Sequence, residues 1–136
     1  MSRYIALVDG KKGAYGVVIP DLPGCTAMGK TIEEALRNAA SAAVAWAQVA
    51  LADGDTIPEP RPAEVVRRDR DVARALAEDA FIAVVPLVLD TGRPAKANLS
   101  LDAGLLAAID EAAEARQLTR SAFIASAARE KILADV

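Results

Sequence analysis

The chain has 136 residues, 53% of them hydrophobic and 26% charged, which describes one globular domain or two small ones rather than a disordered, fibrous or disulfide-stapled chain. Sixteen Lys and Arg stand against nineteen Asp and Glu, for a net charge of −3; this excludes an overall basic nucleic-acid coat but leaves room for a local reading surface. With no His and a single Cys, the usual general base, the commonest metal ligand, CxxC pairs and internal disulfides are all missing.

The N-terminus, MSRYIALVDG, carries only a five-residue apolar run, Tyr4 to Val8, too short for a signal-peptide core. The longest uncharged stretch, Asn38 to Ala52, has fifteen residues and is interrupted by Ser41 and Gln48, whereas a bilayer span needs about twenty apolar ones. The expectation is a cytoplasmic protein with no membrane partner and with Cys25 as a reduced, structural thiol.

In chain order, Tyr4–Val8 and Tyr15–Ile19 read as two strands of a hairpin turned at Lys11-Lys12-Gly13, with Pro20 ending the second. Leu22-Pro23-Gly24-Cys25 fits a type II turn, and Thr26–Met28 reads as a short third strand. Thr31, with Glu34 three residues on, forms a capping box that opens a helix. Its apolar stripe is expected at Ile32, Leu36, Ala39, Ala40, Ala43, Ala47, Ala50 and Leu51, a mostly alanine face able to lie close against a sheet. The Pro-rich segment Ile57 to Pro62 reads as an extended linker. Ala63 to Asp79 reads as one charged surface helix whose arginines are interleaved with acids, a solvated face rather than a phosphate site. Ala80–Leu89 is a continuous apolar run that suits a strand buried on both faces, with Pro86 limiting pairing on one side. The order β-β-β-α-(α)-β predicts an α+β layer.

The turn signal Asp90-Thr91-Gly92-Arg93-Pro94 marks a boundary, giving domains 1–92 and 93–136. The first holds ten basic and thirteen acidic residues and the second six of each, so all the net charge lies in the first. In the second, Ala95, Ala97, Leu99 and Leu101 alternate with Lys96, Asn98 and Ser100, a strand with one apolar and one polar face. Asp102 is the N-cap of a helix with Leu105, Leu106, Ile109, Ala112 and Ala113 on its apolar face, running to about Gln117. Thr119 caps a second helix expected to bury Phe123, Ile124, Ala127, Ala128, Ile132 and Leu133. A lone strand flanked by helices has no ladder partner, and some forty residues are too few for an independent core. Pairing of two strands across a two-fold axis is the economical solution, which predicts an obligate homodimer through residues 94–136.

The sequence KANLSLD, followed by two helices joined at LTRSAFI, resembles a ribbon-helix-helix DNA-binding domain. The resemblance implies a two-stranded ribbon in the major groove, with Lys96, Asn98 and Ser100 facing base edges. It also implies that the second helix presents Thr119, Arg120 and Ser121 to a phosphate. Only Lys96 on the ribbon is basic, so an isolated dimer would bind modestly and pairing of dimers on adjacent half-sites would matter. Tyr15 to Cys25 (YGVVIPDLPGC) and Gly29 to Ala35 (GKTIEEA) are similar to the HicB-type antitoxin pattern, whose N-terminal domain is a partial ribonuclease-H-like β-β-β-α-β fold. The two resemblances together cover nearly the whole chain in the family's order.

A ribonuclease-H-like fold invites a nuclease hypothesis, but two-metal hydrolysis needs converging carboxylates. Asp9 and Asp90 lie at strand ends, Asp21 in a turn, Glu33 and Glu34 in a capped first helical turn, and Glu64, Asp69 and Asp71 on a surface helix. Ser41, Ser100, Ser121 and Ser126 have no evident base to activate them. The expectation is binding rather than catalysis, with no catalytic residue, metal or cofactor. The resemblance implies an antitoxin that binds a cognate HicA-type mRNA-cleaving toxin through its N-terminal domain, with the 22–30 turn region and the helix from Thr31 contributing. It implies a C-terminal ribbon that binds operator DNA of its own operon. The acidic first domain suits a basic RNA-binding partner. The alternative is a stand-alone ribbon-helix-helix repressor with a ligand-sensing N-terminal domain.

Overall fold

The computed structural model of the chain describes residues 1–134 and divides it into two compact units, the first ending at Leu89 and the second starting at Asp90. In the first, strands β1 (Ser2–Lys11), β2 (Ala14–Val18), β3 (Thr26–Gly29) and β4 (Phe81–Leu87) form one antiparallel sheet in the order β3-β2-β1-β4. The β1–β2 hairpin pairs Lys11 with Ala14 across Lys12-Gly13, where Gly13 takes φ +89°. In the turn after β2 the Cys25 N–H donates to Leu22 O at 2.9 Å, and Gly24 takes φ +84°, the left-handed value that a type II turn requires. The chain is therefore α+β, with three of its strands in a meander and the fourth returning beside the first.

Helix α1 (Ile32–Ala52) opens where the Glu34 N–H donates to Thr31 Oγ1 at 3.1 Å. It buries Ala35, Ala39, Ala40, Ala43, Ala47 and Ala50, which lie along one face at helical spacing. Side chains this short let the helix backbone approach the sheet closely. At Gly29 a Cβ would sit 2.4 Å from the Ala35 nitrogen and 2.7 Å from its Cα, so only glycine fits beneath the helix. Two side chains of α1 tie it to the neighbouring segments: Asn38 Nδ2 donates to Met28 O at 2.7 Å and Trp46 Nε1 to Pro23 O at 2.8 Å. Under α1 lie the fully buried Tyr4, Ala6, Val8, Val17 and Val85, which the strand register places on one face of the sheet. Leu51, expected on the buried stripe, is instead 54% exposed. It falls at the rim of the arc described by the six alanines, and Ala35 extends that arc at the other end.

The opposite face of the sheet carries Leu7, which packs with Val66 and Val72 and with the half-buried Ile5, Ala75, Leu76 and Ile82. Here the expected single helix over 63–79 is two helices, α2 (Ala63–Val66) and α3 (Arg70–Ala77), with Asp69 extended between them. Val66 and Val72 are six residues apart, and on a continuous helix they would point in widely different directions. The break lets both reach Leu7. The expected strand over 80–89 is also shorter, and Val84 within it is half-open to solvent rather than buried on both sides, because α3 covers only part of this face.

The linker is fastened by polar contacts. Tyr4 Oη donates to Pro58 O at 2.6 Å; burial pushes this phenol's pKa up, and the Glu59 and Asp21 carboxylates add to the shift. Asp21, whose side chain is 5% exposed, accepts from the Arg61 backbone N–H at 2.8 Å and from Arg61 Nε at 2.7 Å. The other two guanidinium nitrogens of Arg61 donate to both oxygens of Asp69 at 3.1 and 2.7 Å. One arginine thus joins the turn after β2, the linker and the start of α3.

In the second unit, residues 94–101 belong to no strand and are exposed along their whole length. Helix α4 (Ala103–Ala115) starts where Asp102 Oδ2 accepts from the N–H groups of Gly104 and Leu105 at 2.9 and 3.2 Å. It ends through Gln117 in the left-handed region at φ +57°, with the Leu118 N–H donating to Ala113 O at 2.8 Å. Helix α5 (Arg120–Ala134) is capped by Thr119 Oγ1, which accepts from the Ala122 N–H at 3.1 Å. The burial expected for these helices is not found within one chain. Among the described residues α4 buries only Ala113 and α5 none; Phe123, Ile124 and Leu133 are half-buried, while Ala127, Ala128 and Ile132 are exposed. Two helices can cover each other along one stripe only.

Gly29→Ala is expected to destabilise the first unit by about 1–3 kcal/mol, since backbone rather than a flexible side chain must give way; thermal unfolding followed by circular dichroism checks this. The Arg61 hydrogen bonds hold the Asp69 carboxyl below the usual carboxylate range. A depressed folded-state value contributes stability above the ordinary carboxylate pKa that is lost as pH falls through the lowered one. Asp69→Asn is therefore expected to weaken the acid dependence of the melting temperature in that window while leaving the slope near neutrality unchanged.

Candidate functional site

The residues expected to read DNA all lie in the second unit. Lys96, Asn98 and Ser100 are exposed on the extended segment ahead of α4, and Thr119, Arg120 and Ser121 form the entry to α5. The structure brings three of the six together: Asn98, Arg120 and Ser121 line one hollow of about 270 Å³ with Leu99, Leu101 and Ile124. Lys96 and Ser100 lie outside its lining, and the Thr119 hydroxyl is engaged as the helix cap.

Arg120 is not a free cation. Its Nε and Nη2 donate to the two oxygens of Asp110 at 2.8 Å each, raising the guanidinium pKa and holding the Asp110 carboxyl below its usual range. A neighbouring cation, Arg116, stacks over the Phe123 ring at 5.7 Å, and Arg129 pairs with Asp90 at 2.8 Å. At the start of α5 the Arg120 charge is thus compensated within the unit.

In the first unit, no group of three or more His, Cys, Asp or Glu among the described residues could hold a metal ion. No described helix is long and apolar enough to cross a membrane. Cys25 is buried, and that burial raises its thiol pKa, which keeps it in the protonated, unreactive form. Two concave surfaces flank the sheet. One, of about 640 Å³, lies over Leu7 and Val18 with Val72 and Ala75 as a wall and Asp9, Asp69, Arg70 and Asp71 at its rim. The other, of about 760 Å³, lies between the 23–26 turn, the outer flank of α1 and residues 53–58.

Sequence reasoning missed Arg61, read as one residue of a Pro-rich linker, and Trp46 with Val49, which border the second hollow. The signal for these two was partly present: Trp46 is the only tryptophan, at the Ala35 edge of the alanine arc, and Val49 falls just beyond that edge.

Residues 4–128 match the family described as the HicB-like antitoxin of bacterial toxin–antitoxin systems. The chain is 28% identical over 134 residues, 96% of its length and 97% of the relative's, to an uncharacterised 14.9 kDa protein of the rep-hol intergenic region of Haemophilus phage HP1 (strain HP1c1). Among solved structures it is similar to the Burkholderia pseudomallei antitoxin HicB at 29% identity and a TM-score of 0.57, covering 94% of this chain and 96% of that one. It also resembles a chain of a HicA3 and HicB3 toxin–antitoxin complex at 20% identity and a TM-score of 0.51, with 65% of this chain and 98% of that one covered, a likeness of fold. A match over nearly the whole length of this α+β chain settles the family: the chain belongs to the HicB-like antitoxins of bacterial toxin–antitoxin systems.

Proposed function

We propose that this antitoxin neutralises a cognate HicA-type mRNA-cleaving toxin through its first unit, a partial ribonuclease-H-like domain. The second unit, a ribbon-helix-helix domain, binds operator DNA of its own operon as a homodimer. The observation that carries the second role is a fold left half-built. Residues 94–101 have no ladder in the chain, and Leu99 and Leu105 are 62% and 51% exposed beside helices that bury one residue between them. The exposed apolar side chains cost free energy in water, and the backbone of 94–101 is satisfied by solvent in place of a ladder. A second copy supplying an antiparallel strand and two more helices removes all of them together. The resulting ribbon presents Lys96, Asn98 and Ser100 outward as base-reading groups, because its apolar residues alternate with them. Toxin neutralisation rests on family membership and on the acidic balance of the first unit, which steers a basic RNA-binding protein toward it.

Sedimentation velocity of the full chain is expected to show no folded monomer at micromolar concentration. Leu99→Asp should shift the distribution to monomer and melt α4 and α5; a folded wild-type monomer removes the homodimer. For DNA, Lys96→Ala with Asn98→Ala should reduce discrimination by about 1–3 kcal/mol for each side chain that reads a base edge. Fluorescence anisotropy with operator and scrambled duplexes measures this, and unchanged discrimination would show that the ribbon is not the reader.

A further inference from the structure

Helix α1 turns its alanine face to the sheet, and the Ala35 edge of that face, with Ala42 and Ala45, opens onto a groove. Trp46 and Val49 stand at this edge, and together with Pro23, Cys25, Asp53 and Asp55 they border the 760 Å³ groove. The Trp46 ring is held by the hydrogen bond from its Nε1 to Pro23 O, so an aromatic surface is fixed in the groove rather than free to rotate. Val49 is 62% exposed, unusual for a branched aliphatic in a chain with this much apolar burial available.

The charge at the same place has one sign. The last turn of α1 carries no basic residue, and the C-terminal carbonyls of a 21-residue helix point toward residues 53–55. The backbone there is fixed: the Asp53 N–H donates to Val49 O at 3.0 Å, the Gly54 N–H to Leu51 O at 3.1 Å, and the Asp55 N–H to Ala50 O at 2.9 Å. Neither Asp53 nor Asp55 forms an ion pair among the described residues, and no Lys or Arg lines the groove. An aromatic face, an aliphatic floor and two unpaired carboxylates at a helix C-terminus suit one kind of guest, a cationic side chain on a long aliphatic stem. A second copy docked groove to groove is disfavoured, because it would bring two like-charged rims together.

We infer that this groove receives Lys or Arg side chains of the toxin, basic residues that an RNA-cleaving protein would otherwise present to phosphate. The inference rests on the antitoxin reading above and adds the surface and its chemistry. Occupying the groove would neutralise cations that the toxin uses for RNA.

The uniqueness of Trp46 permits a direct test. The full chain is labelled with 5-fluorotryptophan and titrated with the product of the reading frame neighbouring its gene, inactivated by substitution. On binding, the single fluorine resonance is expected to shift. Asp53→Asn with Asp55→Asn should weaken binding by about tenfold at moderate ionic strength and flatten its salt dependence. Val49→Ser should weaken binding as well, whereas Val84→Ser, on the opposite face of the sheet and outside the 22–30 turn region, should leave it unchanged. Binding with the resonance unmoved and the double variant unaffected would overturn the groove and leave the antitoxin reading standing, as would loss of binding on Val84→Ser alone. No binding by the wild-type chain would overturn both.

Discussion

The first unit depends on the closeness with which α1 lies on the sheet. Six buried alanines put the helix backbone near the strands, and Gly29 removes the one side chain that would hold it off. Small faces bury little apolar area each, so such a layer gains from contact length and from directional ties rather than from bulk. The ties are present where the helix meets the strands and turns, in the bonds of Asn38 to Met28 and of Trp46 to Pro23. The large residues, Tyr4, Ile19 and Leu22 among them, are supplied by the strands and turn instead.

That division of labour sets the chemistry of the outer surface. An inward face made of alanine leaves the bulkier residues of α1 to its flanks, where Trp46 and Val49 border a groove instead of filling a core. The Asp21–Arg61–Asp69 contacts meanwhile hold the linker against the turn after β2, so that residues 53–62 form a defined wall rather than a loose strap. Structure and candidate function are linked here through one helix used on two sides.

The second unit follows the opposite logic. Its caps are well formed at Asp102 and Thr119, and Gln117 turns the chain between helices, so its local structure is complete. Its packing is not, with Ala113 the only buried residue of α4 and none in α5 among the described residues. Complete local structure with so little core of its own is what the proposed homodimer accounts for. The bidentate Asp110–Arg120 pair adds a further constraint, since it compensates the cation at the entry to α5.

Much of the fold was legible because its signals are local. The Thr31–Glu34 cap, the turn at Pro23-Gly24, the hairpin at Gly13 and the Asp102 cap each involve residues within three or four positions of one another, and the alanine period needs only the helix itself. What escaped depends on distant partners. The break of the 63–79 segment is decided by Leu7, some sixty residues upstream, which both Val66 and Val72 must reach. The role of Arg61 is decided by Asp21 and Asp69 on different segments, and the groove at Trp46 exists only because the turn at Pro23 and the chain at Asp55 converge on one flank of α1. The hairpin, α1, the helix caps and the family are written in short-range pattern, so the order of residues specifies them without reference to the fold. Which polar groups pair, which apolar residues stay open and where a partner's cation would be received follow instead from packing between segments far apart in the chain.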